Sequence, residues 1–182
     1  MPETPTVESP PVTYQESVEQ VITQGKRTVE WRKVPAEWRL IALRDCAPFS
    51  MALVTDPVEA AKYWRESVVQ NPYLNPEVEN FVVLVLNTRR RVNGHWVVST
   101  GTLDTILVHP REVFRTAIVA NAAAIILMHN HPSGDATPSE ADIRVTRDLI
   151  RAGQLLKIDV LDHVIIGHGC HTSLRELGYF LV

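Results

Sequence analysis

The sequence has little of what marks a secreted, membrane-bound or nucleic-acid-coating protein. It holds two cysteines, Cys46 and Cys170, far apart and in no C-x-x-C arrangement. That excludes a disulfide framework and a thiolate zinc knuckle, and it fits a reducing cytoplasm. No uncharged apolar run approaches the ~18 residues of a membrane span. The opening stretch MPETPTVESPPVTYQESVEQ has no basic region followed by an apolar one, so a soluble, unprocessed protein with no membrane partner is expected. Positive charge is not in excess: a formal net charge of -3 and a pI near 6.2 leave no global surplus to neutralise phosphates, which argues against a dedicated nucleic-acid binder. The short basic run Arg89-Arg90-Arg91 falls in an expected turn and reads as a solvated loop tip.

What is present is enough for one well-buried core, since 45% of the 182 residues are hydrophobic. Met1 to about Gly25 is rich in Pro, Thr, Ser, Glu and Gln and too poor in large apolar groups to offset its ordering entropy, so it reads as a mobile tail. Thr28 to Leu43, with Trp31 and Trp38, reads as an arm able to dock on a neighbour or on the domain itself. Residues 1–55 are therefore expected to be a tail and docking arm, partly disordered, and 56–182 the folded domain.

Local grammar predicts the elements. Asp56-Pro57-Val58-Glu59 combines an N-cap, a proline at the first helical position and a capping-box glutamate, opening a helix to about Val69. FVVLVLN at Phe81 to Asn87 is a β-rich run, and a polar turn over Thr88 to Gly94 leads to a second strand at His95 to Val98. Pro110 to about Ala122 has helical spacing, and Ile125 to Met128 is a buried central strand. Thr137-Pro138-Ser139-Glu140 repeats the capping-box pattern, predicting a helix to Ala152 stopped by Gly153. Ile158 to Ile166 is a further strand, and Gly167 to Gly169 offers the turn of a last hairpin. The sum is an α/β fold, a single mixed β-sheet flanked by helices.

The chemistry sits in MHNHPSGDATPSEAD, Met128 to Asp142. His129 and His131 are two apart at a strand end, where the side-chain period of two sends both imidazoles to one face. Ser139 and Asp142 are three apart and share a helix face. Two neutral nitrogens and a carboxylate make three protein ligands, and a fourth position left to water is the arrangement of a catalytic zinc. Each residue also has a plainer reading. The histidines can bond to backbone or carboxylate groups, Ser139 can be an alternative N-cap, and Asp142 can be a first-turn acid favoured by the helix dipole. His109 can end a strand and lead into a helix, or orient a ligand. Asp162 and His163, polar in an apolar strand, either orient a ligand or satisfy the local fold. His168-Gly169-Cys170-His171 reads as a loop rather than a second metal cluster.

The pattern His-x-His, seven residues, Ser, two residues, Asp resembles the JAMM signature. The words VHPREVF, ILMHNHPSGDATPSEAD and VLDHVIIG resemble the RadC family in particular, over roughly Asp56 to Glu176. The resemblance implies an MPN/JAMM domain of cytidine-deaminase-like architecture. It implies Zn2+ held by His129, His131 and Asp142, and hydrolysis of a peptide or isopeptide bond in a peptide or protein substrate. It also implies Glu79 as general acid/base, with Glu77 as the competing candidate, and Ser139 as donor to the tetrahedral oxyanion. A nucleobase deaminase is excluded, because neither His-x-Glu nor Pro-Cys-x-x-Cys occurs. The family's DNA-repair association implies a second function, a DNA-repair or mobile-element accessory that keeps the metal-binding fold without turnover. The stretch before Asp56 shows no helix-hairpin-helix pattern to support it.

Overall fold

The computed structural model describes residues 52–72, 74–101 and 108–180; the predicted tail and docking arm lie outside them up to residue 51. In chain order the elements are α1 (Pro57–Glu66), a short 3-10 turn (Val68–Gln70), β1 (Asn80–Leu86), β2 (Val92–Thr100), α2 (Pro110–Val119), β3 (Ala124–Asn130), α3 (Glu140–Leu156), β4 (Asp159–Ile166) and β5 (His171–Ser173). The strands form one mixed sheet in the order β2-β1-β3-β4-β5. β1 runs antiparallel to both β2 and β3, β3 runs parallel to β4 through the α3 crossover, and β5 returns antiparallel beside β4. No helix among the described residues is long and apolar enough to cross a membrane.

β1 and β3 are buried at every position because both faces of the sheet are covered. Strand alternation sorts their side chains. Val82, Leu84, Ile126 and Met128 meet Ala60, Ala61 and Trp64 of α1. Phe81, Val83, Ile125 and Leu127 meet Val113, Phe114 and Ala117 of α2 and Leu149 of α3. Ala52 to Val54 pair with the β1–β2 turn, through Val54 N–H to Arg90 O at 3.0 Å and Val92 N–H to Ala52 O at 2.9 Å, and Val54 is buried.

Asp56 caps α1 as predicted, its carboxylate accepting from Glu59 N–H at 2.9 Å. α1 and α2 end earlier than the sequence predicts, at Glu66 and Val119 rather than about Val69 and Ala122, and three further boundaries differ for visible reasons. β2 begins at Val92, not His95, because the turn is closed early by Asn87, whose side chain accepts from the Arg89 and Arg91 N–H groups. α3 is capped by Ser139 rather than Thr137, whose hydroxyl and N–H are both spent on the Asp135 carboxylate. Gly153 does not stop α3, which ends at Leu156 with Lys157 in the left-handed conformation. Gly153 serves close approach instead: a Cβ there would lie 2.5 Å from Ile158 O.

Candidate metal centre

His129 continues the face of Ile125 and Leu127, so its ring enters the layer between sheet and α3 and is fully buried. Phe81 stacks on it, with ring centroids 6.2 Å apart and planes 12° from parallel. His131 lies one residue past β3 and stays tied to the sheet by its N–H to Ile166 O at 2.9 Å. Ser139 and Asp142 then form a reciprocal capping box. Ser139 Oγ accepts from Asp142 N–H at 3.2 Å while Asp142 Oδ2 accepts from Ser139 N–H at 2.8 Å and from Ser139 Oγ–H at 2.6 Å. The cap turns the Asp142 carboxylate back toward the end of β3. His129 Nε2 lies 2.9 Å from His131 Nε2 and 3.3 Å from Asp142 Oδ1, and His131 Nε2 lies 3.8 Å from Asp142 Oδ2. Among the described residues this is the only group of three or more His, Cys, Asp or Glu whose ligand atoms lie within 4.8 Å of one another.

The hydrogen bonds behind the site decide where its protons are. Thr146 Oγ–H donates to Asp142 O at 2.5 Å, so Thr146 Oγ1 must accept from His163 Nδ1–H, 2.6 Å away. Burial drives the His163 pKa well below its ordinary value, leaving the ring neutral, so its Nε2 carries a lone pair. That lone pair, at 2.8 Å, accepts from His129 Nδ1–H. Burial also pushes His129 down to about 4, so its Nε2 is a bare lone pair at neutral pH. His131 Nδ1–H donates to Asp135 O at 2.7 Å, which turns its Nε2 inward as well. Burial alone would raise Asp142, but the contact with His131, the attraction to His129 and the bonds from Ser139 outweigh it and hold the carboxylate ionised.

With both rings neutral, two nitrogen lone pairs and one carboxylate thus converge with no hydrogen between them. Such a set calls for a cation. Without an ion the available cation is a proton on His131, whose pKa is raised by its contact with Asp142 against burial, and further by the Asp135 carbonyl and the charge of Glu79. The donor set of two imidazoles and a carboxylate, with the outer ring nitrogens engaged, fits zinc.

Glu79 directly precedes β1 and is half-buried, close enough for its charge to act on His131. Glu77 is exposed and lines a cleft beside His131 with Asn130, Pro132, Leu74 and Trp64. The segment before β1 turns over residues 76–78, so it is not the extended strand on which Glu77 and Glu79 would share a face by alternation alone. The Ser139 hydroxyl is committed to Asp142, the arrangement of a cap.

Thr146 is the site residue that sequence reasoning missed, and His163 is one it left open between orienting a ligand and satisfying the local fold. The available signal was a histidine in an apolar strand and a threonine four residues after Asp142 on the same helix face. Asp162 instead satisfies the local fold, accepting from His163 N–H, Ser173 Oγ–H and Arg175 N–H. His109 caps α2, its Nδ1 accepting from Arg111 N–H at 3.2 Å. His168 to Cys170 form the β4–β5 turn, where His168 N–H donates to Gly134 O at 2.9 Å and braces the loop after His131.

Residues 54–179 match the sequence profile of the RadC-like JAB domain. The chain belongs to the RadC family. It is 53% identical over 127 residues to a UPF0758 protein of Caldanaerobacter subterraneus subsp. tengcongensis, covering 70% of this chain and 52% of that one. A UPF0758 protein of Moorella thermoacetica is 47% identical over 148 residues, covering 75% and 64%. One from Methanosarcina barkeri is 48% identical over 101 residues, covering 56% and 44%. The RadC-family chain therefore spans roughly half of the length of these curated relatives.

Proposed function

We propose that this RadC-family chain is a zinc-dependent hydrolase of peptide or isopeptide bonds acting on a peptide or protein substrate in the cytoplasm. The observation that carries the reading is the convergence of His129 Nε2, His131 Nε2 and the Asp142 carboxylate beside the charge of Glu79. His129, His131 and Asp142 would hold the ion. Zinc, when bound, polarises a carbonyl oxygen and lets water ionise near neutral pH.

The rest is done by the chain's own groups. Glu79 accepts a proton from the attacking water as its oxygen bonds to the carbonyl carbon. As the C–N bond breaks, Glu79 passes that proton to the leaving amine, which restores the carboxylate. Ser139 is the proposed donor to the tetrahedral oxyanion, a role that requires its hydroxyl to leave Asp142 Oδ2.

The test is zinc content and amidase activity against a panel of peptides and isopeptides, for the purified protein and for Glu79→Gln, His131→Ala and Asp142→Ala. Glu79→Gln should keep stoichiometric zinc and lose about 100-fold or more in rate, while the two ligand variants lose the metal. Activity unchanged in Glu79→Gln or His131→Ala refutes the assignment. A zinc-loaded protein inert on every probe, with DNA affinity falling linearly in log salt, would establish the accessory function instead.

A further inference from the structure

Asn130 lies between the two histidines in sequence, on the opposite face of β3, and is buried. The β1–β3 ladder ends at Phe81 opposite His129. The next backbone donor of β1, Asn80 N–H, is taken at 2.9 Å by Asn130 Oδ1. On its other side, Asn130 Nδ2 donates to Val78 O at 3.0 Å and to Pro76 O at 3.4 Å. Val78 C=O and Asn80 N–H belong to the two peptide groups that flank the Glu79 Cα. One planar carboxamide therefore grips the backbone immediately before and after that residue.

Two further sets of bonds complete the hold. Asn80, fully buried, donates from Nδ2 to Val78 O at 2.8 Å and to Asn75 O at 2.7 Å, and its Oδ1 accepts from Thr100 Oγ–H at 3.0 Å. Glu79 O accepts from Gly101 N–H at 2.9 Å. A sheet edge needs neither a buried asparagine pair nor this many bonds to end a strand. The side chain at position 130 must offer an acceptor and a donor on one rigid plane, which serine, aspartate or an apolar residue cannot do.

We propose that Asn130 is a positioning residue for Glu79, fixing the backbone of the general base directly to the strand that carries His129 and leads into His131. This rests on the metallohydrolase reading above. It explains why a carboxylate that follows a turn at residues 76–78 can be held in register with ligands at the end of β3 and on α3. Preorganised geometry of this kind is what a general base requires.

The experiment loads the apo chain with Co2+ and records the visible absorption bands at one fixed pH for wild type, Glu79→Gln, Asn130→Ala and the double variant. Amide hydrogen exchange at Asn80 and Gly101 is measured beside it. Wild type should take up one ion, and Glu79→Gln should shift the bands by altering the surroundings of the solvent position. Asn130→Ala should bind the ion with the same stoichiometry, reproduce that shift and add nothing to it in the double variant. Exchange at both amides should rise about tenfold. Wild-type bands in Asn130→Ala, or shifts that add in the double variant, overturn the proposal and leave the metallohydrolase reading intact. Wild type that takes up no Co2+, or bands that Glu79→Gln leaves unmoved, overturn that reading and this role with it. Should Asn130→Ala fail to fold, Asn130→Asp keeps the volume and the acceptor but not the donor. It is expected to shift the bands partway, and wild-type bands in the folded Asn130→Asp overturn the proposal.

Discussion

Thr146→Val tests whether the hydrogen-bond chain behind His129 prepares the site for a metal. The two side chains are nearly the same shape, so the substitution opens no cavity and removes only the hydroxyl. Asp142 O, an interior carbonyl of α3, keeps its helical partner. His163 Nδ1–H loses its acceptor in a fully buried position, which costs about 1–3 kcal/mol. His163 can escape by moving its proton to Nε2, but that nitrogen then meets His129 Nδ1–H at 2.8 Å, donor against donor. Relief requires His129 to shift its own proton to Nε2, the atom that faces His131 and Asp142. Zinc binding must reverse the shift and restore the orphaned donor. The zinc dissociation constant, read by competition with a chromophoric chelator, should therefore rise about 10- to 100-fold, or about 1.4–2.7 kcal/mol. Thr146→Ser should restore wild-type affinity. The apo form should lose the smaller of the two costs in urea denaturation. A valine variant that binds zinc as tightly as wild type would refute the tautomer argument and reduce His163 to a packing residue.

The remaining predictions concern the same elements. Zinc must displace the proton that His131 holds above its ordinary pKa, while Asp142 stays ionised and His129 takes no proton until about 4. The logarithm of apparent affinity should thus fall by about one unit per pH unit below the His131 pKa and level off above it. Calorimetry in buffers of different ionisation enthalpy should show about one proton released below that pKa, and affinity independent of pH from about 5 to 7 would contradict this. Ser139→Ala should lower stability by about 1 kcal/mol in urea through the lost cap. It should also weaken zinc binding by freeing Asp142 Oδ2 to turn away; unaltered affinity would show that the box does not aim the carboxylate. Gly153→Ala should be destabilising by about 1–3 kcal/mol, although alanine is the better helix former, because its Cβ would sit 2.5 Å from Ile158 O. A raised urea midpoint would mean that the β4 entry yields.

Features set by residues close in sequence could be read without coordinates. The Asp56 cap, the unbroken apolar runs of β1 and β3, and the His-x-His strand end are all local features, and the fold places them as expected. Thr137-x-x-Glu140 and Ser139-x-x-Asp142 offer equally good capping registers two residues apart, and propensity cannot choose between them. The choice falls to Ser139 because the Asp135 carboxylate captures Thr137, and that same choice aims Asp142 at the histidines. Gly153 reads as a helix stop only while Ile158 O, which crowds it, is out of view. The relay from Thr146 to His163 to His129 joins α3, β4 and β3, so no local window contains it. Sequence spacing can bring ligand types to one place, but a metal site also needs its nitrogens presented as lone pairs. In this RadC-family chain that second condition is met by partners 17 and 34 residues apart, and so it becomes legible only when the chain is folded.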